Sequence, residues 1–420
     1  MTIALAVIIT VIIMTVGFIL VNNLLPGERK IKHHLSHTYA ISDPQFVRTI
    51  GQLLGPPVLG GNTVERLRNG VRIFPAIYQG VAAATRSITL ETYFWSEGRV
   101  ADEISTLLAA AARKDIRVHV LLDAAGCDET NGPSVQRMRD AGVEVTVYHL
   151  SNLARFNFRT HRKLLVVDGT LGFIGGVGFA DHWLGDADAP DHWRDTHYRV
   201  TGPAVAQLQA AFNDNWMKAR ATVLDGPDYF PRLEPVGEVC CQVFKSSPQD
   251  GSESARLMFL LSIAAAAHSI HIGNAYFVPD DLTVETLLQA RARGVEIEVI
   301  IPGSYQDSAL VRRACRERSG RLLAAGVRFY EYQPTMYHCK CMIIDGLWCS
   351  VGSSNFDNRS FRLNDEANLN VLDPAFAAIE LEDYAADRAR AREVTYAEWL
   401  ARPLMRKLAD KCCALSRSQI

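Results

Sequence analysis

Two stretches of the chain carry the same arrangement of a histidine, a lysine and an aspartate. In each, the lysine follows the histidine by two positions, the aspartate follows by seven, and a turn of small residues begins at fourteen. The two sets are His161, Lys163 and Asp168, and His338, Lys340 and Asp345. An imidazole can attack an electrophile or move a proton, and an ammonium group beside it can bind phosphate. One match would be weak evidence, but two in one chain predict paired half-sites for phosphate chemistry.

The residues around each motif indicate how its side chains are positioned. The apolar runs at 164–167 and 342–344 predict buried β-strands, and residues two apart on a strand share a face. Each histidine and its lysine should therefore point the same way. The glycines and serines that follow, including Ser353 ahead of Asn355, allow backbone N–H groups to approach an anion closely.

The repeat extends beyond the two motifs. Residues 87–94 resemble 269–277, residues 113–122 resemble 293–301, and Ala-Gly-Val recurs at 141–143 and 325–327. Helix-like segments that alternate with strands predict two duplicated α/β domains. A proline-containing stretch between them predicts a linker. The expected organisation is a transmembrane anchor at 1–25, a juxtamembrane segment at 26–60, a first domain at 61–222, a linker at 223–238, a second domain at 239–408 and a C-terminal tail at 409–420.

The N-terminus predicts attachment to a membrane. Residues 3–21 are uncharged and mostly apolar, close to the ~20 residues that a membrane-spanning helix needs. A cleaved signal peptide would carry a basic residue ahead of this run and a cleavage site after it, and neither is present. Arg29, Lys30 and Lys32 follow the apolar run, so the positive-inside bias places the rest of the chain in the cytoplasm.

Composition narrows the class of partner. The chain has 420 residues, of which 48% are hydrophobic and 21% charged, with a formal net charge of −2. This balance predicts a folded protein without a general attraction to nucleic acid. The nine cysteines are odd in number and irregularly spaced, so we expect free thiols rather than a disulfide framework. No zinc site is expected at Cys339 and Cys341, and the acidic loop around residues 181–193 is interpreted as solvated rather than metal-binding.

Two acidic residues complete the candidate site. Aligning the strand after each motif sets Asp195 against Glu366. A histidine that reacts through one ring nitrogen needs the other held by an acceptor, commonly a carboxylate. Both acids are candidates for this orienting role, although strand-end acids are often simply solvated.

The paired motifs and the residues around them resemble the phospholipase D superfamily. The resemblance includes residues 352–366 after the second motif, while residues 155–163, residues 202–205 and the apolar N-terminus are similar to its bacterial cardiolipin synthase branch. It implies an α/β fold of two duplicated phospholipase D-like domains, each a mixed β-sheet flanked by helices. A pseudo-twofold axis would relate the domains, and one N-terminal transmembrane helix would precede them. The implied location is the bacterial inner membrane.

The resemblance also implies a mechanism. His161 would attack phosphorus to form a phosphohistidine and His338 would act as acid and base, although the sequence alone permits the reverse. Lys163, Lys340, Ser353 and Asn355 would stabilise charge on the phosphate oxygens, and no metal or cofactor is implied. The sequence departs from the family at Gly178, where relatives often carry Asn.

The implied reaction joins two phosphatidylglycerol molecules into cardiolipin and glycerol, so the expected partners are these phospholipids and the bilayer. A phospholipase D that hydrolyses lipid, a membrane-tethered nuclease and a non-catalytic lipid tether are alternatives. Aromatic and apolar residues crowd the first motif and predict either core or a lipid-facing mouth: Phe156, Phe158, Phe179, Trp183, Leu184 and Trp193.

Overall fold

The described residues, 2–24, 31, 35–128, 130–148, 157–248 and 254–415 of a computed structural model, form one continuous mixed sheet with helices on both faces. The strands within them are β1 Leu59–Arg68, β2 Ser87–Thr92, β3 Arg117–Asp123, β4 Glu144–Tyr148, β5 Arg159–Thr160, β6 Leu164–Val167, β7 Leu171–Gly175, β8 Thr196–Thr201, β9 Val239–Ser246, β10 Ser269–Asn274, β11 Glu296–Pro302, β12 Arg328–Tyr332, β13 Lys340–Ile344, β14 Trp348–Gly352, β15 Asn364–Leu372 and β16 Ala391–Val394. The helices are α1 Thr2–Leu24, α2 Pro44–Leu53, α3 Gly70–Ala82, α4 Arg99–Ala112, α5 Pro133–Asp140, α6 Val205–Arg220, α7 Ser254–Ala265, α8 Asp281–Ala292, α9 Ala309–Ala324, α10 Asn358–Arg362, α11 Pro374–Ala389, α12 Tyr396–Leu400 and α13 Leu404–Leu415.

The strand order shows the duplication. From one edge to the other it is β16-β12-β11-β10-β13-β14-β15-β9-β1-β8-β7-β6-β2-β3-β4. Apart from β16, the order is the same outward in both directions from the β9–β1 pair, which is antiparallel. The short strand β5 lies off this path and pairs with β15. The chain therefore contains two α/β halves of equivalent topology whose sheets join at their first strands.

Each half combines parallel and antiparallel strands for a local reason. β2, β3 and β4 are parallel and are connected through α4 and α5, because a parallel pair requires a crossover connection. β6, β7 and β8 follow as antiparallel neighbours, with β6 and β7 joined by a tight turn at residues 168–170. All four residues of β6 are buried, as expected for a strand covered on both faces.

The domain boundaries predicted from the sequence remain predictions. Near two of them, the structure contains helices and a strand that the sequence analysis did not predict. Residues 221–238 contain neither helix nor strand, which agrees with a linker. The segment predicted as juxtamembrane contains α2, whose Phe46 and Ile50 are fully buried in the core of the second half. The Phe46 ring packs edge-on against Trp348 at 4.9 Å. This segment is therefore packed against the second half.

The C-terminal region also differs from a simple helical tail. α11 is followed by β16, which adds an antiparallel edge strand next to β12. The tail expected to begin at residue 409 instead continues α13 as far as Leu415. Asp410 of α13 is buried and pairs with Arg402 at 2.6 Å and with Arg316 of α9 at 3.7 Å, which holds this helix on the body of the protein.

The N-terminal helix α1 spans 23 residues, and its described large apolar side chains, such as Leu5, Ile9 and Ile13, are exposed. Within the described part of the chain, no helix is both long enough and apolar enough to cross a membrane. Arg29, Lys30 and Lys32, which carry the orientation prediction, lie outside the described residues.

Candidate active site

His161 is held by a residue from the other half of the chain. It lies between β5 and β6, and its backbone N–H donates to the carbonyl of Asp365 at 2.8 Å. This contact extends the parallel pairing of β5 with β15. The ring Nδ1 lies 3.0 Å from Oε1 of Glu366 and 3.1 Å from Oε2. A carboxylate on Nδ1 fixes the tautomer and leaves Nε2 of His161 for chemistry.

His338 has the reciprocal arrangement. Its backbone N–H donates to the carbonyl of Arg194 at 2.8 Å, and its Nδ1 lies 2.7 Å from Oδ2 of Asp195. The two acids that the sequence alignment paired thus each contact a histidine, and the contact crosses between the halves. Each histidine is oriented by the carboxylate of the opposite half, so neither half holds a complete site.

Hydroxyl and amide donors hold Glu366 in place. This carboxylate is fully buried and accepts hydrogen bonds from Ser353, from Ser360 at 2.8 Å and from Asn364 at 3.2 Å. Burial raises the pKa of Glu366, but the attraction of His161 and these hydrogen bonds outweigh burial and lower it overall. Glu366 therefore stays anionic behind His161.

The prediction that Ser353 binds substrate phosphate stays a prediction, and its contacts favour a role in positioning Glu366. The Ser353 hydroxyl is fully buried and donates to Glu366. Its oxygen, Oγ of Ser353, accepts from the backbone N–H of Ala367 at 3.0 Å. A hydroxyl engaged in this way has no proton left for a phosphate oxygen. Ser353 is a positioning residue for the carboxylate.

The two lysines lie beside their own histidines. Lys163 Nζ donates to the His161 carbonyl at 2.6 Å, and Lys340 Nζ donates to the His338 carbonyl at 2.7 Å. Burial lowers the pKa of Lys163 to about 7, with a contribution from Lys340, although Glu366 opposes the change. Burial also lowers the pKa of Lys340. Two closely placed ammonium groups with limited hydration form a strong site for an anion.

Both histidines are neutral at physiological pH. Burial lowers the pKa of each to about 4, and the nearby lysine adds to this effect, whereas the partner carboxylate acts in the opposite direction. Lys340 contributes to the lowered pKa of His161, and Glu366 acts on Lys340. The two histidine–lysine pairs therefore share one electrostatic environment. A neutral imidazole is the form that can act as a nucleophile or base.

Asp168 and Asp345 complete the two motifs predicted to be catalytic, and their contacts favour a structural role. Asp168 directly follows β6, and Asp345 directly follows β13. The lysine of each motif lies at the other end of the same strand. The Asp168 carboxylate accepts from the backbone N–H groups of Thr85, Arg86 and Ser87. Asp345 makes equivalent contacts with the backbone of residues 267–269. Both aspartates fasten the start of a neighbouring strand and do not contact a histidine or lysine of the site.

Asn355 keeps its predicted place as a phosphate-binding candidate. It is 3% exposed, and its side-chain oxygen finds no hydrogen-bond partner among the described residues. The equivalent Gly178 has no space for a side chain, because an added Cβ would lie 2.6 Å from Cβ of Phe94 and 3.2 Å from Trp183. The first half therefore cannot supply the amide that the second half carries.

The aromatic residues near the first motif divide between core and site. Trp183 and Trp193 each have their ring centroid 5.3 Å from the ring of His338, and the indole of Trp183 donates to Asp195 at 3.1 Å. Phe179 belongs to the core of the first half, where Leu184 packs against it. Phe158 is half-buried, and Phe156 lies outside the described residues.

The sequence analysis missed two tyrosines at the site. Tyr93 places its ring 5.2 Å from the His161 ring and 5.5 Å from the Lys163 ammonium. Tyr276, at the equivalent position in the second half, donates to Asp307. The signal was available, because both tyrosines occur in the repeated segments that follow β2 and β10.

Other sequence predictions concern cysteine and acidic residues. All nine cysteines are free thiols, and burial raises the pKa of Cys339 to about 12. Asp181 accepts from the first N–H groups of α4, and Asp188 contacts His192 at 2.9 Å. Asp181 and Asp188 of the acidic loop therefore both have hydrogen-bond partners within the protein.

Sequence comparisons show which proteins this chain resembles. The family model described as "Cardiolipin synthase, PLD-like domain" matches residues 77–216 and 260–387, one segment in each half. A protein named cardiolipin synthase A from Pseudomonas fluorescens is 35% identical over 84% of this chain and 74% of its own length. One of the same name from Pseudomonas syringae is 34% identical over 88% of this chain and 77% of its own length.

Solved structures share the fold at low sequence identity. Phosphatidylserine synthase from Haemophilus influenzae superposes with a TM-score of 0.67 at 14% identity, covering 89% of this chain and all of that one. Polyphosphate kinase from Porphyromonas gingivalis gives 0.53 at 13% identity, covering 93% of this chain and 57% of that one. The resemblance found from the motifs is confirmed: this chain belongs to the cardiolipin synthase branch of the phospholipase D superfamily, with one phospholipase D-like domain in each half.

Proposed function

We propose that the protein is a phosphatidyltransferase that converts two phosphatidylglycerol molecules into cardiolipin and glycerol. The observation that carries the proposal is the crossed site. Two neutral histidines, each with Nδ1 on a buried carboxylate, flank two lysines of lowered pKa. This arrangement suits displacement at a phosphodiester. The names of the relatives favour phospholipid as the substrate.

In the first step, Nε2 of His161 attacks the phosphorus of the donor lipid. The P–O bond to the glycerol headgroup breaks, and the leaving alkoxide takes a proton that His338 carries in the substrate complex. The negative charge that builds on the phosphate oxygens favours protonation of His338 there, while Lys163, Lys340 and Asn355 stabilise the same oxygens. The product is a phosphatidyl-histidine and free glycerol.

In the second step, the hydroxyl of a second phosphatidylglycerol attacks the phosphohistidine. His338, now neutral, accepts the hydroxyl proton as the new O–P bond forms and the P–N bond to His161 breaks. Asp195 stabilises the imidazolium that results, and Glu366 does so for His161. With the two histidines exchanging roles the chemistry would be the same, and the identity of the labelled histidine distinguishes the two versions.

A single N-terminal anchor in the bacterial inner membrane, with the catalytic halves in the cytoplasm, completes the proposal. Residues 3–21 of the sequence, which are uncharged and mostly apolar, support this proposal. The exposed side chains of Leu5, Ile9 and Ile13 favour lipid contact. The basic residues Arg29, Lys30 and Lys32 in the sequence favour the cytoplasmic side for the chain that follows.

The test is to incubate the purified full chain with vesicles of phosphatidylglycerol in phosphatidylcholine and to resolve the lipid products. Cardiolipin with an equal amount of glycerol is the expected result. Phosphatidic acid with glycerol would replace transfer by the hydrolytic alternative, and the absence of any product would refute both. A parallel incubation with single-stranded and double-stranded DNA tests the nuclease alternative, for which we expect no cleavage.

A further inference from the structure

A cavity of about 290 Å³ opens next to the site in the second half. It lies between the ends of β11 and β12 and the helices α9, α12 and α13. Its volume is at the lower end of the range for small-molecule sites, about 300–1,000 Å³. The cavity therefore fits a compact group, such as a lipid headgroup, rather than a whole diacyl lipid.

The cavity connects to the chemistry around His338. Ala275, Tyr276 and Met336 are among its lining residues. The backbone N–H of Ala275 donates at 3.1 Å to the carbonyl of Cys339, the residue between His338 and Lys340. Asp307, which lines the cavity and accepts from Tyr276, also acts on the charges of His338 and Lys340. Asp307 therefore links the wall of the cavity to the electrostatic surroundings of His338.

The charges lining the cavity favour an anion. Among the described residues it is lined by five arginines and three carboxylates, namely Arg312, Arg316, Arg392, Arg402, Arg406, Asp307, Glu331 and Glu398. Glu331 and Glu398 pair with Arg392 at 2.8 and 3.0 Å. Asp410, outside the lining, pairs with Arg402 at 2.6 Å and with Arg316 at 3.7 Å. Within the structurally described part of the chain, Nε of Arg312 is buried and has no hydrogen-bond acceptor. A buried guanidinium N–H without an acceptor is costly, and an anionic ligand would remove that cost.

Part of the remaining lining is apolar and continues to an apolar surface. Phe329 and Leu323 are buried side chains in the cavity wall. Arg406 lies on α13 next to Leu404 and Met405, which are 71% and 76% exposed. An anionic site with an apolar rim suits an amphipathic ligand better than free phosphate.

We infer that this cavity holds the phosphate of the acceptor phospholipid, with Arg312 as its principal ligand, so that the acceptor hydroxyl reaches the proton-accepting histidine. The inference rests on the proposed transfer reaction and adds the location of the second lipid. The donor phosphate lies between Lys163 and Lys340, whereas the acceptor phosphate lies on the arginines of α9. In the transfer step the acceptor O–H proton goes to His338, the O–P bond forms, and the P–N bond to His161 breaks.

The experiment compares a lipid acceptor with one that carries no phosphate. The full chain is incubated with vesicles of phosphatidylglycerol in phosphatidylcholine that also contain ethanol, and cardiolipin and phosphatidylethanol are both measured. Ethanol can take the phosphatidyl group without an anion site. Because a charge-assisted hydrogen bond contributes about 1.5–3 kcal/mol, we expect Arg312→Gln to lower the ratio of cardiolipin to phosphatidylethanol about tenfold or more. Arg312→Lys should retain part of the ratio.

The matched control is Arg313→Gln, because Arg313 is the next residue on α9, is exposed and does not line the cavity. It should leave the ratio at the wild-type value. An unchanged ratio in Arg312→Gln overturns the acceptor site, and so does an equal fall in both products, which would indicate a general loss of the enzyme. Phosphatidylethanol without cardiolipin from the wild-type chain would instead overturn the proposed function, and the acceptor site with it.

Discussion

The two half-sites are alike in their reactive groups and different in what surrounds them. When the motif histidines are aligned, Gly176, Gly178 and Trp183 of the first half correspond to Ser353, Asn355 and Ser360 of the second. Around Glu366, two serine hydroxyls donate to the carboxylate. Around Asp195, an added Cβ at Gly176 would lie 2.5 Å from the carboxylate, and an indole N–H from Trp183 is the side-chain donor at the position of Ser360.

This difference gives each histidine a distinct environment. His161 lies against Tyr93 and a carboxylate with several polar donors, whereas His338 lies against a pair of tryptophans that contact each other. The indole of Trp183 also fills the space in which a side chain at position 178 would lie. The two halves therefore differ: the second half carries the amide that we propose binds phosphate, and the first half carries an aromatic wall beside the proposed acid–base histidine. A wall of this kind excludes water, which favours transfer to a lipid over hydrolysis.

The largest expected effect comes from removing either histidine. His161→Ala and His338→Ala should each lower cardiolipin formation by roughly a thousandfold or more, because a nucleophile or a general acid–base group is lost. The variants should differ in the adduct. With donor lipid carrying labelled phosphate, His338→Ala should accumulate label on the protein slowly, and His161→Ala should accumulate none.

Label found on His338 in the His161→Ala variant would reverse the two roles but keep the reaction class. Robust turnover by either variant would contradict the two-histidine mechanism altogether. His192→Ala is a matched control, because this histidine contacts Asp188 on an exposed loop and should leave activity unchanged.

The next effect concerns the amide that only one half carries. Asn355→Gly should lower activity about a hundredfold, the loss found when one preorganised donor to developing charge is removed. Gly178→Asn should not raise activity, because the new side chain collides with Phe94. It should instead destabilise the fold by about 1–3 kcal/mol, as overpacking does. Steady-state rates and chemical denaturation measure the two effects, and a more active Gly178→Asn enzyme would refute the steric argument.

Much of this arrangement could be predicted because it is local. The spacing of His161 and Lys163, the apolar run after them and the repeat of both predict β6 and β13 as strands and the two α/β halves. The acids also followed from the repeat, because aligning one strand was enough to pair Asp195 with Glu366. In each case, the signal lies within a few residues of the motif.

What could not be predicted depends on contacts between distant segments. The crossing of the carboxylates requires β5 to pair with β15, about 200 residues later in the chain. The contacts that favour a positioning role for Ser353 involve Glu366, which is on another strand. Similarly, the apolar pattern of α2 indicates a buried face but not that Trp348 would cover it. The catalytic role predicted for the motif aspartates stays a prediction, although the strands predicted at 164–167 and 342–344 already separate Asp168 and Asp345 from the histidines.

A smaller effect should appear in the pH dependence of the two lysine environments. Lys163 binds phosphate as an ammonium ion, and its pKa is lowered to about 7, so it is charged below that pH and neutral above it. Because kcat/KM reports the free enzyme, we expect a decline above about 4, where His338 loses the proton that it must donate, and a steeper fall as pH rises through about 7. The acidic limb should lie near 4, where His161 becomes protonated and can no longer attack.

Lys163→Arg sharpens this assignment, since a guanidinium remains charged throughout the range. The alkaline limb should move to higher pH even if the maximal rate is reduced by the change of geometry. An alkaline limb that stays near 7 in this variant would assign the limb to another group, with Lys340 the first candidate because burial lowers its pKa as well.

The smallest effect on catalysis should come from the part of the repeat in which the halves do not differ. Asp168 and Gly169 both have positive φ, as do Asp345 and Gly346, and asparagine tolerates this conformation. Asp168→Asn and Asp345→Asn therefore change charge while keeping the turn. Each removes a carboxylate that accepts three backbone N–H groups, so each should lower the free energy of unfolding by roughly 2 kcal/mol. Turnover per folded molecule should be unchanged, because neither aspartate contacts the histidines. Unfolding midpoints measured beside rates of the folded fraction test this: a loss of rate without a loss of stability would return these residues to the catalytic machinery.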